Sequence, residues 1–166
     1  MDFFDLFKKL EKSRIRYLVV GGIAVNLHGI ERPTKDLDLV VYLQSANLLR
    51  FLGLMTRLGY RPKVPVKATD FADAKNRADW IKHKNMIVFS FYHSQDMMKV
   101  IDVFVKHPIP FGAAYKRRIL IKAGKIKIPV MGISDLIKLK RKAGRLQDKS
   151  DIMALKTVLQ ARRRLS

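Results

Sequence analysis

Two short stretches constrain this chain more than any others: Leu18-Val19-Val20-Gly21-Gly22-Ile23-Ala24 and Thr34-Lys35-Asp36-Leu37-Asp38-Leu39-Val40-Val41. In the first, an apolar run ends in two glycines. In the second, two acids stand one residue apart inside an apolar run. Residues i and i+2 of a β-strand share a face, so Asp36 and Asp38 should project side by side from one strand end. Two carboxylates in an apolar segment are costly unless a cation neutralises them. A hard divalent ion, which prefers oxygen ligands, is the usual candidate. Glycines nearby let backbone N–H groups approach a phosphate closely. This stretch alone therefore points to a metal-bound nucleoside triphosphate.

The chain has 166 residues and 48% apolar content, enough for one domain with a real core. Cysteine is absent, which excludes disulfides and thiolate metal sites. No apolar run approaches the roughly 20 residues that cross a bilayer. The opening Met1-Asp2-Phe3-Phe4-Asp5 lacks the basic-then-apolar order of a signal peptide. The expectation is a soluble, cytoplasmic protein with no membrane partner. Lysine and arginine number 34 against 14 acids, a net charge of +20. Such an excess favours polyanions, RNA or DNA by default, with a solvated basic surface as the plain alternative.

Phe3, Phe4, Phe7 and Leu10 recur at helical spacing and predict an amphipathic helix over 3–13. Strands are expected at Arg16–Val20 and Leu37–Tyr42, with a helix over 22–28 and a loop from Gly29 to Lys35. Residues 45–58 read as a helix capped by Ser45, and 70–78 as a short helix. Trp80–His83, Met86–Tyr92 and Lys99–Val105 read as strands, 107–112 as a loop, and 118–122 with 125–130 as a hairpin around Gly124. From Ser134 to Arg164 the tail is helical, capped by Ser134, broken at Gly144 and resuming near Asp148. This order predicts an α/β or α+β core with a mixed sheet flanked by helices and a C-terminal helical segment. A single domain over 1–166 is expected, with a core at 14–130 and a helical tail at 133–164.

A third acid, Asp102, sits mid-strand in Lys99-Val100-Ile101-Asp102-Val103-Phe104-Val105. If its strand lies beside that of Asp36 and Asp38, the three carboxylates converge and suit two magnesium ions. Asp102 would then also accept the proton of an attacking hydroxyl. The alternative is a core Asp paired with a lysine or capping a turn.

The order Gly21-Gly22-x-Ala24, His28-Gly29, Arg32-x-Thr34-x-Asp36-x-Asp38-Leu39 and then a strand Asp resembles the polymerase β-type nucleotidyltransferase superfamily. Within it, the chain is most similar to minimal stand-alone enzymes, including the toxin type of abortive-infection systems. The tail Lys140-Arg141-Lys142-Ala143-Gly144-Arg145-Leu146-Gln147-Asp148-Lys149-Ser150-Asp151-Ile152 resembles the C-terminal motif of that toxin group. The resemblance implies a nucleotidyltransferase fold and metal-dependent transfer of a nucleoside monophosphate from a nucleoside triphosphate, with pyrophosphate released. It assigns Asp36, Asp38 and Asp102 as metal ligands and catalytic carboxylates, and Gly21 and Gly22 as the triphosphate loop. Many relatives carry Gly-Ser there, so another group must supply the contact of the missing hydroxyl. Lys140 is the first candidate for it and Arg145 the second, against a solvated basic face.

Arg32 and Thr34 would touch phosphate, or Thr34 would serve as a cap. Asp148 would stand near the active site, or pair in the tail helix with Arg145 or Lys149. His28, Trp80 and the phenylalanines read as structural. An RNA acceptor, tRNA included, and an antitoxin protein are the implied partners. The alternatives are adenylylation of a protein or small molecule, or a non-catalytic nucleic-acid-binding module on the same fold.

Overall fold

The computed structural model describes residues 3–164, so Met1 and Asp2 of the opening lie outside the described residues. Helix α1 (Phe3–Lys12) leads into strand β1 (Tyr17–Val20), helix α2 (Gly21–Leu27) and strand β2 (Leu37–Val41). Helix α3 (Ser45–Arg57), the short strand β3 (Tyr60–Pro62), a 3-10 turn (Ala68–Ala72) and helix α4 (Ala74–Lys84) follow. Then come β4 (Val88–His93), β5 (Asp96–Phe104), α5 (Phe111–Lys116), β6 (Ile119–Ala123) and β7 (Ile126–Val130). The tail is α6 (Ile133–Ala143) and α7 (Leu146–Arg164). The seven strands form one mixed sheet in the order β3-β4-β5-β2-β1-β7-β6. This is the expected mixed sheet flanked by helices.

Strand β1 runs antiparallel to β2, with Val20 opposite Asp38, and β2 runs parallel to β5, with Asp38 opposite Asp102. Strand alternation then gives the sheet two different faces. One face carries Tyr17, Val19, Leu37, Leu39, Phe89, Phe91, Ile101 and Val103, all buried. Phe51 of α3 meets Phe91 edge-on, and Trp80 of α4 stacks on Phe89, so α3 and α4 cover this face. The other face is only half covered. β1 is buried along its whole length, whereas β4 and β5 alternate buried with half-buried residues over Val88–Tyr92 and Ile101–Phe104.

Several local expectations change. Trp80–His83 belongs to α4 rather than to a strand. The Asp73 side chain accepts from Lys75 N (2.7 Å) at the start of that helix, and Asn85 ends it in the left-handed region at φ 49°. Arg77 and Trp80 are its buried residues, three apart on one helix face, a spacing that four residues read alone cannot show. The helix expected at 70–78 divides between the 3-10 turn and α4. Strands β4 and β5 begin at Val88 and Asp96 rather than at Met86 and Lys99. The loop expected at 107–112 gives way to α5 from Phe111, where Phe111 and Tyr115, four residues apart, stack on each other. Gln44 caps α3 in place of Ser45, its side chain accepting from Asn47 N (3.1 Å). Gly132 precedes α6 in place of Ser134, since a Cβ there would meet the Arg117 carbonyl oxygen at 2.7 Å. Gly144 does end α6, at φ 67°, and α7 starts at Leu146, slightly ahead of Asp148. Among the described residues, no helix is long and apolar enough to cross a membrane.

Buried Asn47 ties α3 to the sheet. Its Oδ1 accepts from Arg16 N (2.8 Å), and its Nδ2 donates to the carbonyls of Arg16 (3.1 Å) and Tyr42 (2.8 Å). An Asn47→Ala variant strands these backbone groups and should lose about 2–3 kcal/mol of stability. Urea titration followed by far-ultraviolet circular dichroism measures it.

Candidate active site

The site begins where β1 stops. Gly21 adopts φ 65°, and a Cβ there would collide with the Asp38 carboxylate. A Cβ on Gly22 would collide with the Arg32 guanidinium and lie 2.6 Å from Thr34 Oγ1. Both glycines are therefore required by close approach, one to an acid and one to the loop before the acids. This also places Arg32 and Thr34 beside the turn.

Asp38 and Asp102 are lateral neighbours on parallel strands, so their side chains leave the sheet on the same face. Asp36 lies two residues upstream, exposed and close enough to act electrostatically on Asp38. Burial, then the charges of Asp102 and Asp36, pushes the Asp38 carboxyl up to about 6, opposed by the positive charges of Arg145 and Lys140. Ser90, directly across from Asp102 on β4, donates its hydroxyl to Asp102 Oδ1 at 2.5 Å. Asp102 Oδ2 has no hydrogen-bond partner among the described residues.

The tail helices meet the site through buried charge. Lys140 Nζ donates to Asp148 Oδ1 (3.0 Å) and Asp151 Oδ2 (2.6 Å), with all three side chains buried. Asp148 Oδ2 also accepts from Arg145 N (3.1 Å). Arg32 Nε lies 3.0 Å from the same Asp151 oxygen without a directed hydrogen bond, so that contact is one of charge. Lys140, the first candidate for a phosphate contact, thus spends its ammonium on two carboxylates. Arg145, the second, is exposed and has no ion-pair partner among the described residues. Asp148 pairs with Lys140 rather than with the Lys149 side chain. His28 is structural, as expected: its Nε2 donates to the Met131 carbonyl (2.8 Å), and burial lowers its pKa.

Two participants were not singled out from sequence. Ser90 is the lone hydroxyl in Val88-Phe89-Ser90-Phe91-Tyr92, a signal that gains meaning only once β4 is known to border β5. Asp151, present in the tail motif without an assigned role at the site, links α7 to Lys140 of α6 and to the Arg32 loop.

The donors around Asp38 are all hard oxygens, the kind that divalent magnesium takes. Asp38 and Asp102 are half-buried neighbours, and exposed Asp36 acts on Asp38 through its charge. Among the described residues, no three Asp, Glu, His or Cys side chains converge tightly enough to hold a metal as they stand. The acids lie as a lateral pair plus an upstream neighbour.

The seven-stranded mixed sheet flanked by helices matches the nucleotidyltransferase fold of solved structures. A lincosamide antibiotic adenylyltransferase, LnuA, solved with lincomycin bound, superimposes with a TM-score of 0.62 at 15% identity, over 94% of this chain and 95% of that one. The antibiotic-resistance factor ANT(2'')-Ia follows at 0.61 and 10% identity, covering 96% and 83%. A nucleotidyltransferase structure from Thermotoga maritima gives 0.56 at 12% identity, covering 96% and 91%. No protein-family model matches the chain, and no curated protein matches it in sequence.

Two predictions follow from the charges. Between pH 3.8 and about 6 the folded, metal-free protein keeps on Asp38 a proton that the unfolded chain releases. Stability therefore falls as pH rises through that window, and Asp38→Asn should remove this fall and stabilise the metal-free protein at pH 7 by at most about 3 kcal/mol. Denaturation midpoints at pH 4 to 8 read it. Lys140→Met leaves Asp148 buried without its cation and Asp151 with Arg32 alone, and should cost about 3–5 kcal/mol in the same assay.

Proposed function

We propose that this chain is a divalent-metal-dependent nucleotidyltransferase, moving a nucleoside monophosphate from a nucleoside triphosphate to an acceptor hydroxyl and releasing pyrophosphate. The observation that carries this reading is the lateral pair Asp38–Asp102 beside the Gly21-Gly22 turn. Asp36, Asp38 and Asp102 would hold magnesium. Bound there, the metal neutralises phosphate charge and eases deprotonation of the acceptor.

The chain's own residues divide the remaining work. Gly21 and Gly22 leave the backbone open to the triphosphate, and Thr34 and Arg32 line the far side of that turn. Arg145 faces the same anionic centre and supplies a guanidinium fork for phosphate oxygens. Lys140, saturated by Asp148 and Asp151, fixes the start of α7 and so the placement of Arg145. Asp102, with Oδ1 held by Ser90, keeps Oδ2 for the acceptor's proton. The acceptor oxygen would then form its bond to the α-phosphorus as the bond to the pyrophosphate oxygen breaks opposite it.

The acceptor we favour is RNA, because a net charge of +20 attracts a polyanion. The tail motif from Lys140 to Asp151 supports the toxin-type reading, with an antitoxin as its counterpart. A second reading, adenylylation of a small molecule, draws on the likeness in size and fold to an antibiotic adenylyltransferase.

Labelled ATP, CTP, GTP and UTP, incubated with the protein, magnesium and either total RNA or a panel of antibiotic hydroxyl acceptors, separate these readings. Label should move to RNA, and the Asp36→Ala/Asp38→Ala double variant should transfer none while keeping its circular dichroism. Absence of transfer together with absence of triphosphate binding by calorimetry would reject the enzyme.

A further inference from the structure

On the face of Asp102, Val88, Ser90, Tyr92, Asp102 and Phe104 are only half-buried, and the side chains form a series starting at Asp102. Straight across the strands from Asp38 stand Asp102 and then Ser90, and Lys63 N donates to Ser90 O (2.9 Å) at the sheet edge. One step along, Tyr92 lies opposite Val100 on β5 and Arg61 on β3. On the other side of the Asp102 row, Phe104 lies opposite Val88. Alternation puts Arg61, Lys63, Tyr92 and Phe104 all on the face of Asp102.

Tyr92 is half-buried, joins no ring stack and is not packed into the core, whereas half-buried Phe104 packs against the core and Phe71, Trp80, Phe89 and Phe91 on the opposite face contact one another ring to ring. Arg61 and Lys63 are exposed and have no ion-pair partner among the described residues. The order outward is thus the carboxylate Asp102, then Ser90 with the Tyr92 ring beside it on β4, then the cations Arg61 and Lys63 on the β3 side. Strand β3 lies two strands from Asp102, about 10 Å across the sheet. A ligand spanning that distance offers a hydroxyl at one end, a planar group in the middle and an anion at the other. The 3′ end of a single-stranded nucleic acid has this sequence of groups.

We propose that the open face of β3, β4 and β5 is the acceptor site, and that it takes the 3′ end of a single strand of RNA. The terminal base rests on Tyr92, and the phosphate behind it meets Arg61 and Lys63. This rests on the nucleotidyltransferase reading for the use made of the strand, but binding of the strand does not. A polycationic acceptor is disfavoured, since its charges would meet Arg61 and Lys63.

The test is binding of a fluorescent single-stranded RNA of about ten nucleotides, measured by anisotropy across a salt series without nucleotide or metal. Arg61→Glu/Lys63→Glu should weaken binding at least about tenfold at low salt and lower the salt slope by about 1.4, the value for two lost phosphate contacts. Tyr92→Ala should weaken it about tenfold with the salt slope unchanged. A charge-matched control on the opposite sheet edge, Lys122→Glu/Lys125→Glu, should leave binding close to that of the parent chain. Equal loss in the control, or no loss in the Arg61/Lys63 variant, overturns the proposal. Because no transfer is read, an inactive protein still decides it. Calorimetry of triphosphate binding to the same variants shows separately whether the donor site is intact.

Discussion

The mutual repulsion of Asp38 and Asp102 is the constraint around which the rest of this protein is arranged. Parallel strands place the two carboxylates one strand spacing apart on the same face, and half-burial removes much of the water that would screen them. Nothing in the sheet itself favours this. The surroundings answer it in three ways. Ser90 satisfies one oxygen of Asp102, Gly21 keeps side-chain bulk away from Asp38, and the tail helices bring positive charge near without contact. A structure that only needed stability would replace either acid with valine. Their retention in an apolar sheet is the physical argument for chemistry at this point.

The helical tail is part of the site rather than an appendage. Arg32, Asp151, Lys140 and Asp148 form a chain of alternating charge from the loop before the acids, through α7 and α6, back to the backbone of Arg145. Such a buried network is weak evidence for net stability, because taking four charges out of water offsets most of their attraction. Its effect is on geometry. With two acids committed to Lys140, the α6–α7 corner has one favourable arrangement, and that arrangement presents Arg145 to Asp38.

The elements nearest the site were the most legible in the sequence, and for a shared reason. β1 and β2 are short apolar runs with both faces covered, and their interruptions, Gly21-Gly22 and Asp36-x-Asp38, cannot be explained as packing. Asp102 stood out in the same way. The misreadings fell where local pattern is ambiguous. Trp80-Ile81 looks like strand when four residues are taken alone, and only the spacing to Arg77 and the cap at Asp73 reveal a helix. Helix α5 hid behind Pro108 and Pro110 because six residues cannot show a period. Ser90 and the partners of Lys140 were illegible for another reason. They depend on which strands adjoin and how the tail folds back, which spacing along one chain does not encode.

The half-covered sheet carries a cost that bears on how the site works. A helix over β3, β4 and β5 would bury Tyr92 and Phe104, at about 25 cal/mol for each Å² of apolar surface removed from water. It would also seal Asp102 and Ser90 from solvent. The boundary between the covered half, over β1 and β2, and the open half runs along β5, the strand that carries Asp102. A carboxylate at that boundary has low-dielectric walls on one side to strengthen its electrostatics and free access on the other. Asp38, one strand further in, is correspondingly drier, and its raised pKa is the measure of that position. On the proposed function, the gradient from dry to open across three adjacent strands would set a donor side apart from an acceptor side within one sheet.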